Sequence, residues 1–446
     1  SNYSGFLLAD DMGLGKTIQI LMIIKFFIFK NNKYRVLIVC PKSLINNWKD
    51  EISKHTPELN EFVINELNDK HYNSKFIFII NYESLINDEN YLKFHFDLLI
   101  ADEAQRMKTY CTKTSRFMKS ISASFKICLT ATPIENNIIE FWNLIDFILP
   151  GFLDSKKKFK ENYLIINDNP SSEIAQIKAD ELMEKIEPIF LRREKNNIKS
   201  LNLPLKYTKY EKIELNKEHT YSYISVYKSI DPGKILSAVQ VLLQVCDCPY
   251  NKVEYINCEE YEKYSSKIKY LLEILKKIKE DNQKALIFTR FIKTQIYIKE
   301  ILWKNNIKAE IFNGSLNEIE RREIINNFNN TNELDALIIN PKVGGVGLNL
   351  VSANNVIHYT LEWNHAVISQ ATDRVYRIGQ KKDVFNYILY TSFPENLSIK
   401  NKTVEEYLVQ LIKKKEEISN FLINTFYIKN ELQNIEKELL DNLIFS

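Results

Sequence analysis

The chain has 446 residues, 45% of them apolar and 26% charged, with a formal net charge of +3. That length rules out one ordinary core and predicts two or three domains in a soluble globular protein. The near balance of charge argues neither for nor against nucleic acid, because a binding groove needs only local basic residues.

The six cysteines (Cys40, Cys111, Cys128, Cys246, Cys248 and Cys258) include no CxxC pair, and histidine is scarce. Structural zinc is therefore not expected; buried thiols in a reducing cytosol are. No signal peptide is evident. The apolar stretch ILMIIKFFIFK (Ile20–Lys30) is short and broken by Lys25. A membrane span needs about 20 apolar residues, so no membrane association is expected and a buried helix is. Glycine carries more information. There are only ten, and seven sit in four short stretches: Gly13 and Gly15, Gly314, Gly344, Gly345 and Gly347, and Gly379. Such clustering marks places where backbone turns tightly or approaches a ligand.

In chain order, the strand GFLLA leads into ADDMGLGKT (Ala9–Thr17) and then the helix KTIQILMIIKFF. A strand, a glycine turn and a helix form the context of a phosphate loop. The strict pattern wants glycine where Asp10 stands. Asp10 is tolerable if the start of the loop makes less contact than its GKT end. Backbone amides along Asp11, Met12, Gly13, Leu14 and Gly15, with the helix N-terminus, would cradle phosphates. Lys16 would reach the β/γ oxygens and Thr17 would reach Mg2+. By itself, GKT is equally a glycine turn capping a helix.

YRVLIVCP and FIFIINYESL read as further strands, the first followed by the helix start KSLINNWKDEI. FDLLIADEAQRMK ends a strand in Asp102 and Glu103, which suit a metal-orienting and a water-polarising carboxylate. An isolated Asp-Glu pair is more often a helix start favoured by the dipole. KICLTATP ends a strand in Thr130 and Thr132, suited to sensing phosphate. Strands alternating with helices predict a parallel α/β sheet with ligands at the strand C-termini, where all three motifs fall.

From Asn137 to about Tyr264 the pattern turns helical and charged, around a basic extended link, Pro188–Lys206. Strand–helix alternation then returns through KALIFTRF, KAEIFNGSL, LDALIINPKVGGVGLNL, NVIHYT and VFNYILY, predicting a second α/β sheet with no second GKT. AVISQATDRVYRIGQ reads as one helix ending at Gly379. The i,i+4 and i,i+3 spacings of Gln370, Arg374 and Arg377 would put them on one face, able to neutralise a transferring phosphate. A solvated basic face is the plainer reading of that stretch alone. The tail Lys402–Ser446 lacks Gly and Pro. Val404, Tyr407, Leu408, Leu411 and Ile412 recur at helical spacing, predicting a packed helix.

Taken in order, ADDMGLGKTIQ, CPKSLINNW, DEAQ, LTATPIENN, FLRREK, LIFTRF, FNGSL, KVGGVGLNL and QATDRVYRIGQ resemble the Swi/Snf family of superfamily-two helicase-like DNA-dependent ATPases. That family's own phosphate loop reads DDMGLGKT, so Asp10 is expected within it. The resemblance implies two RecA-like lobes with helical insertions. Residues 1–190 would form lobe 1, with an insertion at about 137–190. Residues 191–264 would form a linker and second insertion, 265–400 lobe 2, and 401–446 a helical tail. It implies catalytic Lys16, Asp102, Glu103, Gln370, Arg374 and Arg377, metal contact at Thr17 and Asp102, and Gly345 beside the nucleotide. DNA contacts would come from Lys42, Ser43, Thr289, Arg290, Gly314, Ser315, Lys342, Gly344 and Trp363. The implied function is an ATP- and Mg2+-dependent translocase on double-stranded DNA, in the cytoplasm and on the nucleoid if bacterial. Alternatives are a helicase acting on RNA or separating strands, and a non-catalytic DNA-clamping module of a larger complex. Only eight residues, Ser1–Leu8, precede the loop, where the family has an adenine-contacting segment. The expectation is therefore one part of a longer protein, with other domains or subunits as partners.

Overall fold

The computed structural model describes residues 3–133, 138–164, 173–195, 198, 201–230, 235–249, 257–341, 350–363, 365–395 and 402–413. The chain divides into two compact units that meet in sequence at Leu201 and Asn202.

Among the described residues, the first unit is built on seven strands: β1 (Gly5–Leu8), β2 (Arg35–Cys40), β3 (Val63–Ile64), β4 (Phe76–Asn81), β5 (His95–Asp102), β6 (Ser122–Leu129) and β7 (Phe190–Leu191). They lie in the order β3-β4-β2-β5-β6-β1-β7, and each pairing is parallel. The central strands are apolar on both faces: Val36–Cys40 and Leu98–Ala101 are buried throughout. Continuous apolar runs of this kind are what a sheet covered on both sides requires. The helix Ile138–Ile148 lies against this core through Phe141, Leu144, Ile145 and Phe147. A Cβ at Gly5 would run into Ile148, so glycine there permits the helix's close approach. All the polar motifs of this unit follow strand C-termini: the loop after β1, Lys42 after β2, Asp102 and Glu103 at the end of β5, and Thr130 after β6.

Among the described residues, the second unit holds six strands: β8 (Lys206–Glu214), β9 (Ala285–Phe288), β10 (Ala309–Phe312), β11 (Ala336–Ile339), β12 (Asn355–His358) and β13 (Val384–Ser392). Their order is β10-β11-β9-β12-β13-β8, again parallel throughout. The helices Lys217–Lys228, Ile235–Asp247 and Cys258–Tyr264 precede β9, and residues 404–413 form a further helix. Val404, Leu408, Leu411 and Ile412 are buried, as their spacing predicts.

Four expectations are corrected. Residues 206–214, expected within the linker and second insertion at 191–264, instead form β8, pairing with β13 over nine residues. Its sequence KYTKYEKIE is mostly exposed, so an edge strand studded with lysine gave no apolar run to detect. The helix Lys16–Lys30 is not enclosed. Ile20, Leu21, Ile24 and Ile28 are buried, while Met22, Ile23, Phe26, Phe27 and Phe29 are exposed. The helix expected to reach Gly379 ends at Thr372. There the Thr372 hydroxyl donates back to the Ile368 carbonyl (3.0 Å), which favours bending and termination, and residues 373–379 continue as turns. Finally, Cys111 is exposed and Cys258 is half-buried, unlike the other four thiols. Among the described residues, no helix is long and apolar enough to cross a membrane.

Candidate nucleotide site

The phosphate loop leaves β1 and enters the helix Lys16–Lys30 through Gly13 (φ 87°) and Gly15 (φ 76°). Both occupy the left-handed region that side-chain-bearing residues avoid. Gly15 is the N-cap, and no side chain caps the helix. Its first-turn amides therefore have no intrahelical partner and point toward the loop, an arrangement suited to an anion. The Lys16 ammonium donates to the carbonyls of Asp10 (2.6 Å) and Asp11 (3.2 Å). Burial pushes the Lys16 pKa down, while the charges of Glu103 and Asp102 act in the opposite direction. Lysine and acid pair are thus close enough to share one electrostatic environment.

The acid pair is closely held. Asp102, half-buried at the end of β5, accepts from the Trp48 indole on Oδ2 (2.9 Å) and from the Glu103 amide on Oδ1 (2.9 Å). The Tyr82 hydroxyl donates to its carbonyl (2.8 Å). Loss of water around the carboxylate, then the charge of Glu103, pushes the Asp102 pKa up to about 7. Glu103 sits at φ 50°, ψ 51°, a left-handed conformation uncommon for a residue with a side chain. Gln105 holds its Oε2 at 2.6 Å. Gln105 in turn accepts from the Thr130 hydroxyl (2.7 Å), which also accepts from the Thr132 amide (3.1 Å). A hydrogen-bonded line therefore joins the acid pair to the strand end at β6.

The start of the loop is tied to the segment that follows β7. Asp10 is fully buried and takes the Arg193 guanidinium on both oxygens, together with the Arg193 amide (2.9 Å). The fit of the site to Mg2+ is chemical: the Asp102 carboxylate and Thr17 hydroxyl offer the hard oxygen donors that this ion takes with water and phosphate.

In the second unit, Gln370 lies half-buried on the helix His365–Thr372. Arg374 is buried and Arg377 half-buried in the turns that follow, so the three do not share a helix face. Thr289 is a second correction. It is fully buried, its hydroxyl meets that of Thr360 (2.9 Å), its amide donates to Ile339 and its carbonyl accepts from Gln295. Its side chain has no free face for a DNA contact. Arg290 and Trp363 are half-buried, while Gly314 and Ser315 are exposed after β10; Lys42 and Ser43 are exposed after β2 in the first unit. Lys342, Gly344 and Gly345 lie outside the described residues.

A model of the SNF2-related domain matches residues 1–285, well over half of the chain. The chain belongs to the SNF2-related family. A model of the helicase conserved C-terminal domain matches residues 266–379. The SNF2-family chain is similar to an ATP-dependent helicase of Mycoplasma pneumoniae, at 32% identity over 98% of this chain and 42% of the relative. It is similar to an ATP-dependent helicase/translocase of Bacillus subtilis, at 33% identity over 98% of this chain and 49% of the relative. It therefore spans less than half the length of either. The SWI2/SNF2 ATPase core of Sulfolobus solfataricus, solved with double-stranded DNA, has 29% identity and a TM-score of 0.43, covering 100% of this chain and 93% of that one.

Sequence reasoning passed over Trp48, Gln105 and Arg193 as parts of the candidate site. Trp48 and Gln105 stand within the family stretches CPKSLINNW and DEAQ. Nothing in local spacing shows that Trp48 reaches a carboxylate 54 positions away.

Proposed function

We propose that this SNF2-family chain is an ATP-driven translocase motor on double-stranded DNA, using Mg2+ with ATP as substrate. The observation that carries this reading is the placement of Lys16, at an uncapped helix N-terminus, beside Asp102 and Glu103, all at strand C-termini of one parallel sheet. In it, Lys16 and the loop amides draw the phosphates, and Thr17 and Asp102 hold the ion. The ion would neutralise phosphate charge. Glu103, aimed by its backbone conformation and by Gln105, polarises the attacking water. Support for duplex DNA comes from the relatives' names, which include the helicase/translocase above, a chromatin-remodelling ATPase and a DNA repair and recombination protein of Saccharomyces cerevisiae.

The test is steady-state hydrolysis with and without duplex DNA. Wild type is expected to hydrolyse ATP faster with duplex. Lys16→Ala and Glu103→Gln are expected to lose on the order of 10²-fold or more of the rate. Undiminished turnover in either variant rejects the assignment. Triplex displacement without strand displacement would separate translocation from unwinding.

A further inference from the structure

We infer that Arg193 is a positioning residue for the phosphate loop, fastening it to the chain segment that leaves the first unit. The inference rests on the nucleotide-binding reading of that loop. β7 pairs with β1 only at Leu7 with Phe190 and Leu8 with Leu191. Parallel bonding nevertheless continues past the strand into the loop, where the Ala9 amide donates to Leu191 (2.7 Å) and the Asp11 amide to Arg193 (3.0 Å). Side chains then lock the two segments together. The Arg193 guanidinium forks onto both Asp10 oxygens and reaches Gln19 Oε1 (2.6 Å). Gln19 returns to Asp10 Oδ2 (3.3 Å) and to the Leu14 carbonyl (3.2 Å), inside the loop. Arg192 donates to the carbonyls of Ala9 and Ala131 (both 3.1 Å) and to Asp11 Oδ1 (3.3 Å). The Lys195 amide donates to Asp11 Oδ2 (3.0 Å).

The physical consequence is directional. Asp10 is a fully buried carboxylate whose only arginine is Arg193 among the described ion pairs. A buried charge is strongly destabilising once its partner is withdrawn, so loop and segment move together or not at all. The segment 191–195 ends six residues before the boundary between the two units at Leu201 and Asn202. Displacement of that connection is therefore felt first at Asp10 and Asp11. It is transmitted to Leu14 through Gln19 and to the β6 strand end through Arg192. Asp10, the residue that breaks the strict phosphate-loop pattern, is the anchor of this strap.

Two variants test it. Arg193→Lys keeps the charge but loses the planar fork. Arg193→Ala with Asp10→Ala removes the pair without orphaning the carboxylate. In each, amide hydrogen exchange across Ala9–Leu14 is expected to accelerate about tenfold or more while β2 and β4 amides are unchanged. The KM for ATP is expected to rise roughly tenfold, with a smaller change in kcat. Loop exchange matching wild type, or a lowered melting temperature with unchanged exchange and KM, overturns the proposal. Hydrogen exchange needs no nucleotide. If wild-type protein neither binds nor hydrolyses ATP, the functional reading fails while the strap is still judged by loop exchange.

Discussion

The indole of Trp48 donates to Oδ2 of Asp102 at 2.9 Å, although the two residues lie 54 positions apart. This bond lowers the Asp102 pKa against the burial and the Glu103 charge that raise it to about 7. Trp48→Phe removes the donor, so the pKa rises further. A hydrogen bond to a charged group is worth about 1.5–3 kcal/mol, or roughly one pKa unit or more. Mg2+ requires the ionised carboxylate. Because a proton and Mg2+ compete for that carboxylate, the Mg2+ requirement of hydrolysis is expected to grow as pH falls through about 7, and to be larger in Trp48→Phe than in wild type at pH 7. Mg2+ titrations of the rate from pH 6 to 9 check this; superimposable curves for the two proteins refute it. For stability the sign is the reverse of a salt-bridged acid. The native state holds the extra proton between the ordinary carboxylate range and pH 7, so the contribution of Asp102 to stability falls as pH rises through that window.

Lys42 is exposed immediately after β2, where a phosphate backbone can reach it. Each phosphate contact releases counterion and contributes about 0.9 to the slope of log affinity against log salt. Lys42→Ala is expected to weaken duplex binding evenly across sequences and to reduce that slope by about 1. Fluorescence anisotropy from 50 to 200 mM salt measures it, and an unchanged slope removes Lys42 from the interface.

Lys267 is fully buried between two carboxylates, donating to Asp247 (2.9 Å), Glu405 (2.5 Å) and the Tyr359 carbonyl (2.7 Å). Burial alone would lower its pKa, but the two acids outweigh burial and raise it. Glu405 also accepts from the Thr391 amide and hydroxyl (both 2.8 Å), so this cluster fastens helix 404–413 to β13. Lys267→Met leaves both carboxylates unpaired and should cost about 3–5 kcal/mol. Adding Asp247→Asn and Glu405→Gln should restore most of it. Urea unfolding of the three proteins decides; a single variant as stable as wild type contradicts the account.

His219 donates from Nε2 to the Val245 carbonyl (2.6 Å) and accepts from the Ser266 amide on Nδ1 (3.4 Å), the pattern of a neutral ring. Burial pushes its pKa down to about 4, and that of His358 to about 4 as well. Both rings bind protons more readily in the unfolded chain. Their contribution is present above about pH 6.5 and is lost as pH falls toward 4, on the order of 3 kcal/mol for each ring. Hydrogen exchange at pH 7 and pH 5 should show β9 and β12 losing protection. Equal protection at the two values would contradict the assignment of neutral buried rings.

Much of the fold was legible in the chain. The runs VLIVC, IFII, LLIA, LIF and LII are buried on both faces, and burial on both faces erases alternation and leaves a continuous apolar signal. Lys16, Asp102 and Glu103 could be placed because a phosphate loop is a local object, and because Asp102 ends an apolar strand. β8 could not be read, since an exposed lysine-bearing edge strand is specified by its partner β13 rather than by its own pattern. The run after Thr372 carried a helical period, but the helix ends where the Thr372 hydroxyl bonds back to Ile368 within it and across to Asn386 of β13.

By itself, then, the sequence determined two parallel α/β units and the polar residues placed at their strand ends, because both depend on residues near one another in the chain. Only the tertiary structure decided what holds that chemistry in place. The Trp48 bond to Asp102 and the Arg193 fork on Asp10 close across 54 and 183 positions of sequence. Contacts of that span exist only once β2, β5, β1 and β7 lie in one sheet, since it is the sheet that brings their ends together.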